Sequence, residues 1–114
     1  MKRVYVAGAY SSDKTMGVFN NMRRGMRAST EVFLAGFFPF CPWLDFHFIL
    51  MLRENEELTI EQYYEYGIAW LEVSDAILVL PNSGHSRGTK LEMAKAMSLG
   101  IPVYYSLEEL CRNA

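Results

Sequence analysis

Between Asp75 and Val103 the chain reads Asp-Ala-Ile-Leu-Val-Leu-Pro, a polar loop, Ser86-Arg87-Gly88-Thr89-Lys90-Leu91-Glu92 opening a helical stretch, then Gly100-Ile101-Pro102-Val103. A short apolar run closed by Pro81 is the pattern of a strand buried on both faces. A second such run follows one helix later, and that alternation implies parallel strands joined by a right-handed crossover. In open sheets of this kind ligands bind at the carboxyl edge of the strands. The loop supplies small residues and backbone N–H groups, and the helix behind it points its positive end at whatever the loop holds. Glu92 falls about one turn inside that helix. An anion cradle beside a placed carboxylate suggests chemistry on a phosphorylated or sugar-bearing small molecule.

The rest of the chain extends the same pattern to β-α-β-α-α-β-α-β-α. Strand one spans Arg3 to Gly8. Helix one runs from about Thr15 to Leu34, where Val18, Met22, Met26 and Phe33 recur at helical spacing and Gly36 closes the helix. Strand two is Phe37 to Cys41, ended by Pro42, and Trp43 to Arg53 reads as a helix that is apolar almost all round. Thr59, with Gln62 three residues on, caps a third helix reaching about Val73. Strand three is Ala76 to Leu80, helix four Gly88 to Leu99, and strand four Ile101 to Tyr104. Ser106 caps a short last helix containing Leu107 and Leu110. The expectation is one α/β domain over residues 1–114, a Rossmann-like or flavodoxin-like three-layer sandwich. Its parallel sheet has strand order 2-1-3-4 and its site at the switch point between strands one and three.

Composition narrows the partners. With 114 residues, 51% of them apolar, the chain holds enough material for one core. A net charge of −2 argues against a nucleic-acid backbone, since Arg23, Arg24 and Arg27 sit on a helix with its own apolar face and read as solvated. Cys41 and Cys111 form no disulfide framework and no metal-ligand spacing, so no metal is expected and a reduced, cytoplasmic setting fits. Residues 1–9 lack the apolar core of a secretory signal. The apolar patch from Phe37 to Leu52 is shorter than the roughly 20 residues of a membrane span and is interrupted by Pro39, Pro42, Asp45 and His47.

A site at the switch point demands a second binding loop, after strand one. It reads Gly8-Ala9-Tyr10-Ser11-Ser12-Asp13. Gly8 lets the backbone approach a ligand, Tyr10 offers a ring face and a hydroxyl, and Ser11 and Ser12 offer donors. No Gly-x-Gly-x-x-Gly follows strand one and no Gly-Lys-Ser/Thr occurs, so neither a dinucleotide fingerprint nor a P-loop is present.

These residues resemble the nucleoside 2-deoxyribosyltransferase superfamily, including its deoxynucleoside-monophosphate N-glycosidases and small relatives of phages and bacteria. The matching segments are Val4-Tyr5-Val6-Ala7-Gly8-Ala9-Tyr10-Ser11, Trp70-Leu71 ahead of Ser74-Asp75-Ala76, and Ser86-x-Gly88-x-x-x-Glu92 continuing through Ala94, Ala96 and Leu99-Gly100-Ile101-Pro102-Val103. The resemblance implies Glu92 as nucleophile on the anomeric carbon of a nucleoside or nucleoside 5′-monophosphate. Ser86 and Gly88 would hold the 5′-phosphate or 5′-hydroxyl, helped by the backbone of Gly8 to Ser12, without a cofactor; Arg87 and Thr89 of the same loop complete the expected binding set, Arg87 as a bidentate partner for a phosphate. It also implies a homodimer or higher oligomer. Gly88-Thr89-x-x-Glu92 is similar as well to the nucleotide phosphoribohydrolases of the lysine-decarboxylase-like family, which carry Pro-Gly-Gly where Pro81-Asn82-Ser83 stands here.

One departure divides the functional expectations. The glycosidases carry a second carboxylate eight residues before the aspartate that opens strand three, and counting back from Asp75 reaches Gly67. Tyr63 and Tyr64 lie one turn earlier, so a phenol, Tyr64 foremost, is the expected substitute donor, and Asp45 and His47 are further candidates. The expectations are therefore three: N-glycosidic cleavage or base transfer, nucleotide binding without turnover, or an interaction protein using the apolar helix around Phe48.

Overall fold

The computed structural model describes residues 2–81 and 83–114. Four strands, β1 (Arg3–Ala7), β2 (Phe38–Phe40), β3 (Ala76–Val79) and β4 (Val103–Tyr104), form one parallel sheet in the order β2-β1-β3-β4. This is the expected 2-1-3-4 order, so the loops after β1 and β3 open side by side. Residue alternation sorts the central strands into two faces. Val4, Val6, Ala76 and Leu78 pack with Met22, Val32, Trp43 and Leu110; Tyr5, Ala7, Ile77 and Val79 pack with Leu71 and Ala96. The first face is therefore covered by α1 (Thr15–Leu34) and α5 (Leu107–Asn113), and the second by α3 (Ile60–Leu71) and α4 (Arg87–Ser98). The result is the three-layer sandwich.

Helix ends follow the sequence signals. Gly36 adopts φ +96° directly after α1, a conformation that costs other residues a clash at Cβ. Thr59 and Gln62 form a reciprocal capping box at the start of α3. Asp75 ties the start of β3 to β1, its carboxylate accepting from the Arg3 N–H at 2.7 Å while its own N–H donates to the Arg3 carbonyl at 2.8 Å.

The segment after β2 differs from expectation. In place of a helix over Trp43 to Arg53 the chain makes a 3₁₀ turn at Pro42–Asp45 and a short α2 at Phe46–Met51. The reason is Trp43. Its indole is fully buried and lies against Gly25 of α1, where a Cβ would come within 2.1 Å of the ring, and its Nε1 donates to the Ala9 carbonyl at 3.1 Å. A tight turn beginning at a proline sends this side chain inward and leaves Asp45 at the mouth of the sheet. Elsewhere the differences are of one to three residues, with β1 ending at Ala7 and α3 at Leu71. Among the described residues no helix is long and apolar enough to cross a membrane.

Candidate functional site

α4 brings Glu92 inward. Thr89 and Ala96 are fully buried, and Glu92 lies between them on the same helical face, three residues after one and four before the other. β1 sends Tyr5 to that same side of the sheet. The two meet: the Tyr5 hydroxyl donates a short hydrogen bond to Glu92 Oε2. Burial pushes the Glu92 carboxyl from its ordinary 4.5 up to about 7, and the bond from Tyr5 partly offsets this by favouring the ionised form. Burial, and then the neighbouring Glu92, push the Tyr5 phenol well above its usual range, so Tyr5 remains a donor. The outcome is an inward-facing carboxylate, held in one orientation and poised near neutrality.

A cavity of about 600 Å³ opens over this pair, lined by the loops after β1 and β3, the 3₁₀ turn, α3 and the start of α4. That volume is typical of small-molecule sites. Gly8, Ala9, Tyr10 and Ser11 line it from the first loop; Ser86, Arg87, Gly88 and Thr89 line it from the second; Tyr64 lines it from α3. Of the residues expected in the two binding loops, Ser12 alone lies off the cavity. Its hydroxyl accepts from the Lys14 N–H at 3.3 Å and crowds Gly17, so it belongs to the turn that starts α1. Asp45 also lines the cavity, whereas His47 does not and packs edge-on against Phe48.

Ser86 has a double part. Its Oγ accepts from the Thr89 N–H at 3.2 Å and from the Thr89 hydroxyl at 2.9 Å, which caps α4 and fills both lone pairs. The hydroxyl proton is then left to donate into the cavity. First-turn N–H groups of Arg87 and Gly88 have no acceptor within their own helix and point along its axis, so this end of the cavity favours an anion. The facing loop is fixed with its carbonyls engaged. Asn21 Nδ2 donates to the carbonyls of Tyr10 and Ser11 at 3.1 and 3.3 Å, and Trp43 takes that of Ala9.

Gly67, the position reached by counting back from Asp75, faces the site. It lies beneath the Tyr5–Glu92 pair, and a Cβ there would stand 2.8 Å from the Tyr5 hydroxyl and 3.8 Å from Glu92 Oε2. The glycine is the space that lets α3 close over the Tyr5 phenol. Gly88 faces the Tyr64 ring, which a Cβ would meet at 3.4 Å, an ordinary contact.

Three polar atoms at the cavity are buried and form no well-aligned hydrogen bond to any described residue: Tyr10 Oη, Asp45 Oδ1 and Tyr63 Oη. Burial raises the Asp45 carboxyl above its ordinary range, and the facing Tyr10 phenol pulls it partly back. The outer wall is aromatic. Phe40 stacks on Tyr5 at 5.4 Å and on Trp70 at 5.5 Å, with Tyr66 tilted against it at 6.0 Å.

Sequence reasoning missed Tyr5. A tyrosine within Val-Tyr-Val-Ala reads as core, and its partner is 87 residues away. The available signal is that a phenol on a strand buried on both faces requires an acceptor.

Comparison with known proteins places the fold. It is shared with a 2-deoxyribosyltransferase from the psychrotolerant bacterium Bacillus psychrosaccharolyticus, described as a biocatalyst for industrial synthesis of antiviral and antitumoral nucleosides. The TM-score is 0.62 at 17% identity, with 89% of this chain and 69% of that chain covered. No curated protein matches the sequence. The family described as a domain of unknown function, DUF7768, matches residues 2–106, and the chain belongs to that family.

Proposed function

We propose that the protein cleaves, or transfers the base across, the N-glycosidic bond of a nucleoside or nucleoside 5′-monophosphate, with Glu92 attacking the anomeric carbon. The observation that carries this reading is the buried Tyr5–Glu92 pair at the floor of a cavity whose far end favours an anion. Departure of a base leaves an oxocarbenium-like sugar, which a carboxylate on the opposite face stabilises or captures. Tyr5 holds Glu92 in the attacking orientation. Ser86, Arg87, Gly88 and Thr89 receive the 5′-phosphate or 5′-hydroxyl, with Gly8 to Ser11 opposite, and Tyr64 offers a hydrogen bond within the cavity. The 2-deoxyribosyltransferase sharing the fold supports the nucleoside as substrate class. No cofactor enters the proposed steps.

One observation favours binding without turnover: the α3 position that faces Glu92 is Gly67, which carries no carboxylate. A single experiment separates the readings. Incubating the protein with ribo- and deoxyribonucleosides and their 5′-monophosphates is expected to release free base on chromatography, with release abolished in Glu92→Ala. A thermal shift with nucleotide, but no base released, would establish binding alone.

We also propose self-association. Leu50 and Met51 are 68% and 66% exposed on α2, close in sequence to Phe48, which meets Tyr66 at 5.6 Å beside the cavity's aromatic wall. Apolar surface of this kind is usual at subunit contacts.

A further inference from the structure

Breaking an N-glycosidic bond leaves negative charge on the departing nitrogen unless a proton arrives with it. The cavity offers few sources. Tyr5 is committed to Glu92, Arg87 does not release its proton, and His85, though it lines the cavity, stands exposed next to Ser86 and Arg87 at the end that receives the 5′-group. Tyr64 stands against Gly88 at the start of α4, on the side of the 5′-group. Asp45 remains. It stands in the cavity wall with Oδ1 buried, facing the Tyr10 phenol, which favours its ionised form, and beside Tyr63, whose hydroxyl is buried without a well-aligned partner. A buried carboxyl facing one phenol, with a second buried phenol beside it, leaves hydrogen-bonding capacity at the cavity that a ligand with a polar edge satisfies.

We infer that Asp45 is the proton donor to the leaving base and that Tyr10 and Tyr63 hold the N7/C6 edge of a purine beside it. This rests on the glycosidic reading above and assigns its second catalytic group. The edge fits a purine because N7 accepts a proton, while the C6 substituent either accepts from a phenol or donates to one. In the step, a Glu92 oxygen forms a bond to C1′ as the C1′–N bond breaks. The electron pair of the broken bond stays with the base, and the Asp45 proton passes to the base nitrogen. The products are a glycosyl ester of Glu92, a neutral free base and the Asp45 carboxylate. Water, or a second base, then attacks C1′ and gives its proton to Asp45, restoring both side chains.

Burial keeps the Asp45 proton in place to higher pH than an ordinary aspartate would, in line with this use. The groups facing it are Tyr10 from the loop after β1, Tyr63 from α3, Tyr5 from β1 and Cys41 at the end of β2. The Tyr10 phenol is the one that holds its pKa down.

The test pairs neutral purine nucleotides (AMP, dAMP, GMP, dGMP) with 7-methylguanosine 5′-monophosphate and its deoxy counterpart. The methylated base is already cationic and leaves neutral without a proton. Asp45→Asn is expected to slow release from the neutral nucleotides by roughly 100- to 10,000-fold and from the methylated ones by less than about tenfold. Equal losses on both, or none on either, overturn the assignment. Wild-type release from pyrimidine nucleotides but from no purine overturns it and leaves the glycosidic reading standing; release from no nucleotide overturns both. If Asp45→Asn fails to fold by circular dichroism, Tyr10→Phe decides. Removing the phenol is expected to move the alkaline limb of the pH–rate profile to higher pH, and an unmoved limb overturns the inference.

Discussion

Glu92→Gln separates the electrostatic state of the site from its chemistry, because glutamine keeps the side chain's shape and removes its proton equilibrium. In the folded protein the Glu92 carboxyl titrates near pH 7, against an ordinary value of 4.5. Between those two values the unfolded chain has released this proton and the folded chain still holds it. Stability must then fall as pH rises through this window and level off above it. At about 1.4 kcal/mol for each tenfold change in proton affinity, the loss amounts to about 3 kcal/mol by pH 8. The glutamine variant has no such loss. It is expected to match the wild type near pH 4.5 and to exceed it by about 3 kcal/mol at pH 8, equivalent to roughly 10 °C in Tm for a domain of this size. Thermal melts of both proteins across pH 4.5–8.5, followed by circular dichroism, measure the difference directly, and other titrating groups cancel between them. A difference that stays constant with pH, or that grows as pH falls, refutes the placement of Glu92 in a desolvated site. The same burial that costs stability gives a carboxylate little water to shed before it attacks carbon.

The remaining predictions concern the parts that hold this pair in place. Gly67→Ala is expected to cost about 1–3 kcal/mol in a denaturant melt, because its methyl group would press on the Tyr5 hydroxyl at 2.8 Å; an unchanged midpoint would mean that α3 is free to shift. Ser86→Ala removes the cap of α4 and is expected to destabilise by about 1 kcal/mol. It should also raise KM more than it lowers kcat for a phosphorylated substrate, a split read from steady-state kinetics. Leu50→Asp is expected to move the protein towards monomer in sedimentation, whereas an unaltered sedimentation coefficient would place any self-association elsewhere.

How much of this was legible in the sequence depends on how local each signal is. The apolar runs around Tyr5 and Ile77, with proline and glycine punctuation, carry the parallel sheet and its switch point, because burial on both faces leaves a continuous pattern. Glu92 was legible through its spacing from Ser86 and Gly88, which fixes its height on α4. Its environment was not, since the acceptor for Tyr5 comes from the far end of the chain and no periodicity links the two. Gly67 could be located by counting, yet its meaning is a distance to a phenol on another element. The turn at Pro42–Asp45 was read as helix because its residues are apolar; the burial of Trp43 against Gly25, a tertiary demand, bends it and places Asp45 at the cavity.

The measurement closest to the central claim is mass spectrometry of the protein after incubation with 2-deoxy-2-fluoroarabinosyl purine nucleosides and their 5′-monophosphates. Fluorine at C2′ slows turnover of a glycosyl ester by destabilising the oxocarbenium-like state that leads out of it. The account predicts a mass increase equal to the fluorinated sugar, with its phosphate if present, on the peptide containing Glu92, and none in Glu92→Gln. An adduct on another residue, or release of base with no adduct at all, would contradict a nucleophilic Glu92.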